Sequence, residues 1–190
     1  MGVLRLFAAV PMSTEVTKNL SAPIALCRAQ AQGIKWVEPA GMHITLRFFG
    51  DTPEERVSQL ARVLVEAVEG IAPFEITAKG IGAFPSPSRP RVVWAGIGCG
   101  SDELCALAAR VKAATEGAGF GEPDGARFSP HVTLGRVRRD ANDVTIPPAL
   151  FTERERVWGT VAVGSVVLYS STLRPAGPVY RQVALAPLRP

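Results

Sequence analysis

The chain has few of the residues that build metal centres and disulfide frameworks. It contains two histidines and three cysteines among 190 residues. Cys27, Cys99 and Cys105 are odd in number and form no C-x-x-C pair, so the sequence indicates neither a disulfide framework nor a zinc cage. Two histidines without a third ligand at matched spacing also make a poor zinc site. We therefore predict no metal, no cofactor and a reducing cytoplasm as the compartment.

Long apolar runs are also lacking. No stretch approaches the roughly 20 apolar residues that a membrane helix requires. The first apolar run, residues 6–10, ends at Pro11 and is typical of a first strand rather than of a secretion signal. We therefore expect no membrane association.

The overall composition is that of a folded protein. Apolar residues make up 47% and charged residues 20%, which is enough to bury a core in one compact unit or two small lobes. The net charge of +4 mildly favours a polyanionic partner without identifying one. Nothing in the sequence demands more than a monomer.

The first half of the chain predicts strand, helix, strand and helix. Residues 3–10 form the first strand, and a helix over residues 14–30 follows from apolar residues at helical spacing. The alternating run 43–50 predicts the second strand. Thr52 is expected to cap the second helix, with a proline at the first helical position and Glu55 completing a capping box.

The second half repeats this order without a linker between independent domains. Its predicted elements are strands over 74–81 and 91–97 joined by a proline-rich loop, a helix over 101–117, a strand from His131, and strands over 161–169 and 179–185. We expect one domain over residues 1–190, built from two pseudo-symmetric lobes that each contribute one histidine-bearing strand.

Both histidines stand in the same motif, H-x-T-L. The motifs are His43-Ile-Thr-Leu46 and His131-Val-Thr-Leu134, and they use every histidine in the chain. Because side chains alternate along a strand, His43 and Thr45 share one face, as do His131 and Thr133. Two such strands facing each other would surround a groove with two imidazoles and two hydroxyls. A tetrahedral phosphate fits that groove.

This set of groups suits acid–base chemistry at phosphorus. Opening a cyclic phosphodiester requires removing a proton from water and delivering one to the departing ribose oxygen. Imidazole serves both tasks, since its ordinary pKa of about 6.5 leaves both protonation states accessible near neutral pH. Threonine hydroxyls donate hydrogen bonds to the non-bridging oxygens, where charge is held in the transition state. The symmetry of the motifs does not show which imidazole is the acid.

Further segments extend the pattern over nearly the whole chain: Arg5–Val10, Trp36, His43–Gly50, Gly82–Pro85, Arg91–Trp94, Ser129–Arg136, Leu168–Ser171 and Tyr180. In these segments the sequence resembles the 2H phosphoesterase superfamily. It is most similar to the LigT-like branch, the RNA 2′,3′-cyclic phosphodiesterases also called 2′-5′ RNA ligases. The resemblance implies a bilobal, duplicated α+β fold, in which two antiparallel sheets flank a central cleft and helices pack on the outer faces.

The resemblance also implies an activity and a role for each motif residue. The expected reaction is hydrolysis of a terminal 2′,3′-cyclic phosphate to a 2′-phosphomonoester, on RNA ends or nucleoside 2′,3′-cyclic phosphates. His43 would protonate the departing 3′ oxygen, and His131 would activate the water. Thr45 and Thr133 would bind the phosphate, and Arg136 would contact the phosphate or stack on a base.

For three residues near the motifs, the predicted role depends on which face of the strand the side chain occupies. Strict alternation places Arg136 on the face opposite His131, and a bulge or a strand end at Gly135 would bring it back. Arg47 shares the face of His43 by alternation, but occupies a variable position of the family, so Arg136 is the preferred ligand. Alternation favours Phe48 as a core residue, with base stacking as the other interpretation.

Two other functions remain open at this point. The same groups would support 2′-5′ ligation or cleavage of 2′-5′-linked RNA. A non-catalytic module that binds RNA or nucleotides would keep the groove without the reaction.

Overall fold

The computed structural model describes residues 2–28, 30–121, 128–141, 144, 146–174 and 177–190. Within these ranges the elements are β1 (Val3–Pro11), α1 (Thr14–Arg28), β2 (Ile34–Trp36), β3 (His43–Pro53), α2 (Val57–Val68), β4 (Phe74–Ser86), β5 (Arg89–Ile97), α3 (Ser101–Gly117), β6 (His131–Val137), α4 (Pro148–Phe151), β7 (Val157–Val163), β8 (Ser165–Arg174) and β9 (Gly177–Pro187). Short 3-10 turns cover Pro39–Gly41 and Glu54–Arg56.

The strands form two antiparallel sheets. The first sheet has the order β3-β1-β8-β9, and the second has the order β2-β6-β5-β4-β7. Neither sheet coincides with one half of the chain, because β8 pairs with β1 and β2 pairs with β6. The predicted α+β class with two antiparallel sheets is confirmed.

The helices cover one side of each sheet. α1 packs on β7 of the second sheet, while α2 and α3 pack on each other and on strands of the first sheet. The apolar positions predicted for α1 are all buried: Val16, Leu20, Ile24 and Cys27. None of the helices in the described ranges is long and apolar enough to cross a membrane. β3 and β6, the strands that carry the two motifs, contact each other directly.

The predicted start of the second helix is wrong. Thr52 remains in β3, where it pairs with Leu4 of β1 and is only 5% exposed. The chain then passes through the 3-10 turn, and α2 begins at Val57. Pairing between β1 and β3 continues to the end of β3, so a non-local strand contact overrides the local capping pattern.

Two predicted boundaries between strands also differ. The proline-rich segment is largely strand, because β4 continues to Ser86 and β5 begins at Arg89. A register shift between Phe84 and Pro85 accommodates the proline, which has no N–H for the strand ladder. The single strand predicted over residues 161–169 is two strands, β7 and β8, which belong to different sheets.

A β-bulge interrupts each motif strand at the motif leucine. In β3, Thr45 pairs with Ala9 and Arg47 pairs with Ala8, so Leu46 has no partner of its own in β1. The extra residue places two consecutive side chains toward the interior and inverts the alternation that follows. Arg47 therefore faces the core and Phe48 faces the side of His43.

The same bulge recurs in β6. Thr133 pairs with Trp94 and Gly135 pairs with Val93, which leaves Leu134 as the extra residue. Leu134 and Gly135 are both buried, and Arg136 is exposed. A bulge is therefore present, one residue before the position considered from the sequence, and it returns Arg136 to the face of His131.

The bulge in β3 overturns two expectations. Arg47 does not share the face of His43. It is 2% exposed, and its Nη2 lies 2.9 Å from Oε1 of Glu116 on α3. Phe48 is not a core residue, since 47% of it is exposed. Both errors come from extending strict alternation through a strand that contains an extra residue.

The ion pair of Arg47 predicts a stability change. In Glu116→Gln the buried guanidinium loses its charged acceptor, and we expect the free energy of unfolding to fall by about 2 kcal/mol. Urea denaturation measures this loss. Glu103→Gln, at an exposed position of the same helix, is the control and should change stability by less than about 0.5 kcal/mol. Equal stability of the two variants would contradict the importance of the pair.

Candidate active site

Each histidine is held by the backbone carbonyl two residues before it. His43 Nδ1 lies 2.8 Å from the oxygen of Gly41, and His131 Nδ1 lies 2.7 Å from the oxygen of Ser129. A carbonyl only accepts, so Nδ1 donates and carries the proton in the neutral ring. Both histidines therefore have the same tautomer, and Nε2 remains available to a substrate.

Aromatic rings fix the orientation of His43. Its imidazole stacks on Phe7 at 4.8 Å between ring centroids, and Phe7 stacks on Tyr169 at 5.4 Å. The ring of Tyr180 meets His43 and Phe7 edge-on, at 5.2 Å from each. The three stacked rings come from β3, β1 and β8, so the first sheet supports the imidazole across its width.

A second aromatic group supports His131. Phe84 meets its imidazole edge-on at 5.2 Å, and Trp94 lies 5.1 Å from Phe84. The indole of Trp94 lies close over Gly82, where a Cβ atom would collide with the ring. Glycine at this position allows the close approach that places Phe84 beside the imidazole.

The other predicted ligands lie on the same faces as the histidines. Thr45 is exposed and Thr133 is half-buried, and within the described ranges neither hydroxyl has a hydrogen-bond partner. Arg136 is exposed on the face of β6 that carries His131, and its positive charge helps to lower the pKa of both imidazoles. The structure thus places the histidines, the threonines and Arg136 on two strands that contact each other.

Burial sets the protonation state of the site. It lowers the pKa of His43 from 6.5 to about 4, against the opposing hydrogen bond to Gly41 and with help from the charges of Arg136 and His131. The pKa of His131 is lowered by the same main cause and by Arg136. Burial raises the pKa of Tyr169 and of Tyr180. At neutral pH the free site therefore presents two neutral imidazoles and two protonated phenols.

Sequence reasoning gave no role to the supporting rings, which are Phe7, Tyr169, Tyr180, Phe84 and Trp94. The composition offered one indication of their importance, because the chain has only two tyrosines and both are in this set. Their assembly depends on the pairing of β8 with β1 and of β9 with β8, which no local pattern shows.

Two H-x-T-L strands that meet where two antiparallel sheets adjoin define the class of two-histidine phosphoesterases. Within this class the chain belongs to the LigT-like phosphoesterase family, whose family model matches residues 10–94 and 97–180. The two matched ranges together include both motifs and four of the five supporting rings, with Phe7 outside them.

The chain is also similar to individual proteins and solved structures of this kind. A relative from Thermotoga maritima, named RNA 2′,3′-cyclic phosphodiesterase, is 33% identical over 185 residues, covering 94% of this chain and 92% of its own. The crystal structure of TT0787 from Thermus thermophilus is similar with a TM-score of 0.79 and 30% identity, covering 98% of each chain. Escherichia coli LigT in complex with 3′-AMP has a TM-score of 0.77 and 24% identity, covering 98% of this chain and 99% of its own, and shows the fold alone.

The pKa order can be measured directly, because the chain has only two imidazoles. In an NMR titration we expect both to titrate below 6.5, with His43 at about 4. Arg136→Gln removes a positive charge that disfavours both imidazolium ions, so both pKa values should rise.

The variant His131→Gln retains only the signal of His43, and the signal that is lost from the wild-type spectrum is thereby assigned to His131. Arg62→Gln, an exposed charge on α2, is the control and should leave both titrations unchanged. An imidazole that titrates above 6.5, or a pair that does not respond to Arg136→Gln, would contradict this description of the site.

Proposed function

We propose that the protein hydrolyses the terminal 2′,3′-cyclic phosphodiester of RNA to a 2′-phosphomonoester by two-histidine acid–base catalysis. Membership of the LigT-like family and the name of the Thermotoga relative support this reaction. The observation that carries it is the matched pair of imidazoles, each tied through Nδ1 to a carbonyl and both under the charge of Arg136.

Arg136 and the two threonines are the proposed phosphate ligands. The charge of Arg136 acts on both imidazoles, and a phosphate attacked on one side and leaving on the other must lie between them. A guanidinium offsets the charge of the non-bridging oxygens and donates hydrogen bonds to them. Thr45 and Thr133 add neutral donors from the two strands. Of the two roles considered for Arg136, this position supports contact with the phosphate.

Each imidazole carries out one of the two proton transfers. His131 accepts a proton as water attacks phosphorus, and His43 donates a proton to the 3′ oxygen as its bond to phosphorus breaks. The phosphorus–oxygen bond formed with water replaces the one lost to O3′, and solvent restores the starting protonation. Although the pKa of His43 is low in the free site, a bound phosphodiester anion raises the pKa of a nearby imidazole.

The position of Phe48 supports His43 as the proton donor. Phe48 is exposed on the strand that carries His43, and the guanidinium of Arg5 lies 4.8 Å from the centre of its ring. Aromatic faces bind bases by stacking. A base on Phe48 would place its ribose, and hence the departing 3′ oxygen, on the side of His43.

Further parts of the proposal concern the setting of the reaction. We propose that the enzyme acts as a monomer on RNA ends in a reducing cytoplasm. The three cysteines support such a compartment, since Cys27 is buried, Cys99 is exposed, Cys105 is half-buried and all three are free. The 3′-AMP bound to Escherichia coli LigT supports a nucleotide as the ligand of this fold.

The first test is an assay with a chelator. In the described part of the chain no three His, Cys, Asp or Glu side chains converge as a metal site. We expect full turnover in EDTA of an RNA oligonucleotide that ends in a 2′,3′-cyclic phosphate, with a 2′-phosphate product identified by mass spectrometry and enzymatic mapping. His43→Ala and His131→Ala should each lower kcat by about 10²–10⁴-fold.

Circular dichroism checks that both variants fold. Activity that disappears with EDTA and returns with a metal would sink the metal-independent mechanism. Full activity in either histidine variant would refute the acid–base assignment.

Phe48 gives a second test. Phe48→Ala removes the stacking surface, and we expect kcat/KM for a nucleoside 2′,3′-cyclic phosphate to fall about tenfold, as is typical for the loss of one base–aromatic contact. The control is Leu26→Ala, which truncates an exposed apolar residue on α1. A loss of the same size in both variants would show that Phe48 does not contact the base.

A further inference from the structure

A cavity of about 310 Å³ opens beside His43. Its walls include His43, Met12, Met42, Pro39, Tyr169 and Tyr180, and we call it the tyrosine cavity. Two other cavities of similar or larger size, between α2 and α3 and beside Trp94, include neither histidine in their walls. The tyrosine cavity therefore continues directly from the site of reaction.

Phe48 and the cavity lie on opposite sides of Phe7 in the first sheet. Phe48 of β3 pairs with Phe7 of β1 from one side, and Tyr169 of the cavity wall pairs with Phe7 from the other. At about 4.8 Å between neighbouring strands, the backbones of Phe48 and Tyr169 are roughly 10 Å apart, and the ring of Phe7 between them stacks on His43. One nucleotide has one base and cannot occupy both places while its phosphate lies between the histidines. The cleft therefore offers positions for two bases.

The walls of the tyrosine cavity suit a flat, uncharged group. None of the residues that line it carries a charge at neutral pH, given the lowered pKa of His43. Methionine sulfur and aromatic rings make favourable contacts with another π-system. Phe7 packs against both tyrosines from behind and fixes their rings. A nucleobase fits this environment better than a phosphate, which would need a cation.

We propose that the tyrosine cavity binds the base of the penultimate nucleotide, so that the enzyme selects RNA ends over mononucleotides. This inference rests on the proposed function and specifies its substrate. Stacking is tolerant of base identity, so the selection is for chain length rather than for sequence. In the described ranges neither tyrosine hydroxyl has a hydrogen-bond partner in the protein, which leaves both free to donate to the substrate.

Wild-type enzyme tests the inference with three substrates. They are a nucleoside 5′-phosphate with a 2′,3′-cyclic phosphate, a dinucleotide with the same cyclic end, and that dinucleotide with an abasic 5′ residue. We expect kcat/KM for the dinucleotide to exceed that of the other two about tenfold. Equal values for all three would overturn the inference and leave the proposed function intact. Failure to turn over any of the three would overturn the proposed function itself.

A matched pair of variants locates the effect. Ala40 lines the tyrosine cavity and Ala113 lines the groove between α2 and α3, and both are exposed. Ala40→Trp should lower the ratio of kcat/KM for dinucleotide to mononucleotide about tenfold, while Ala113→Trp should leave the ratio unaltered. An equal loss on both substrates in Ala40→Trp would show that the cavity holds the terminal nucleoside, which contradicts the proposal. The wild-type comparison decides the question even if Ala40→Trp does not fold.

Discussion

One extra residue in each motif strand determines which side chains reach the cleft. Leu46 and Leu134 are the unpaired residues of two β-bulges, and both are buried. Without the bulges, alternation would place Arg47 and Gly135 beside the histidines and would send Phe48 and Arg136 into the core. The electrostatics of the imidazoles, the exposed aromatic surface and the buried ion pair all depend on this local change of register.

The sequence predicts the face of each site residue only up to the bulge in its strand. His43, Thr45, His131 and Thr133 precede the bulges, so simple alternation holds for them and each threonine shares the face of its histidine. Arg47 and Phe48 follow a bulge, and the same rule failed for both. A bulge is defined by its pairing with the neighbouring strand, and that pairing is not visible in the sequence of one strand.

Non-local contacts explain the remaining differences in the same way. Thr52 has the sequence of a helix cap, yet it pairs with Leu4 because β1 and β3 stay paired to their ends. The rings around His43 come from β1 near the start of the chain and from β8 and β9 near its end. The amphipathic α1, in contrast, follows from local spacing alone, and its predicted buried positions are among the observed ones.

The two motif strands share a backbone plan but differ in what they offer a ligand. After equivalent bulges, β3 presents the aromatic ring of Phe48 and β6 presents the cation of Arg136. Both histidines have the same tautomer, but His43 is the more deeply buried, with a pKa lowered to about 4. A duplicated frame thus carries an apolar wall suited to bases and a charged wall suited to phosphate.

The position of β1 between β3 and β8 has a consequence for synthesis of the chain. Strands β2 and β4–β7 all lie before residue 164, so the sheet with His131 has all its strands once that residue leaves the ribosome. The sheet with His43 waits for β8 and β9, since a two-stranded ribbon is only marginally stable alone. The wall with Phe7, Tyr169 and Tyr180 is thus the last to form, and a nascent chain holds no complete cleft until residues 165–187 have emerged.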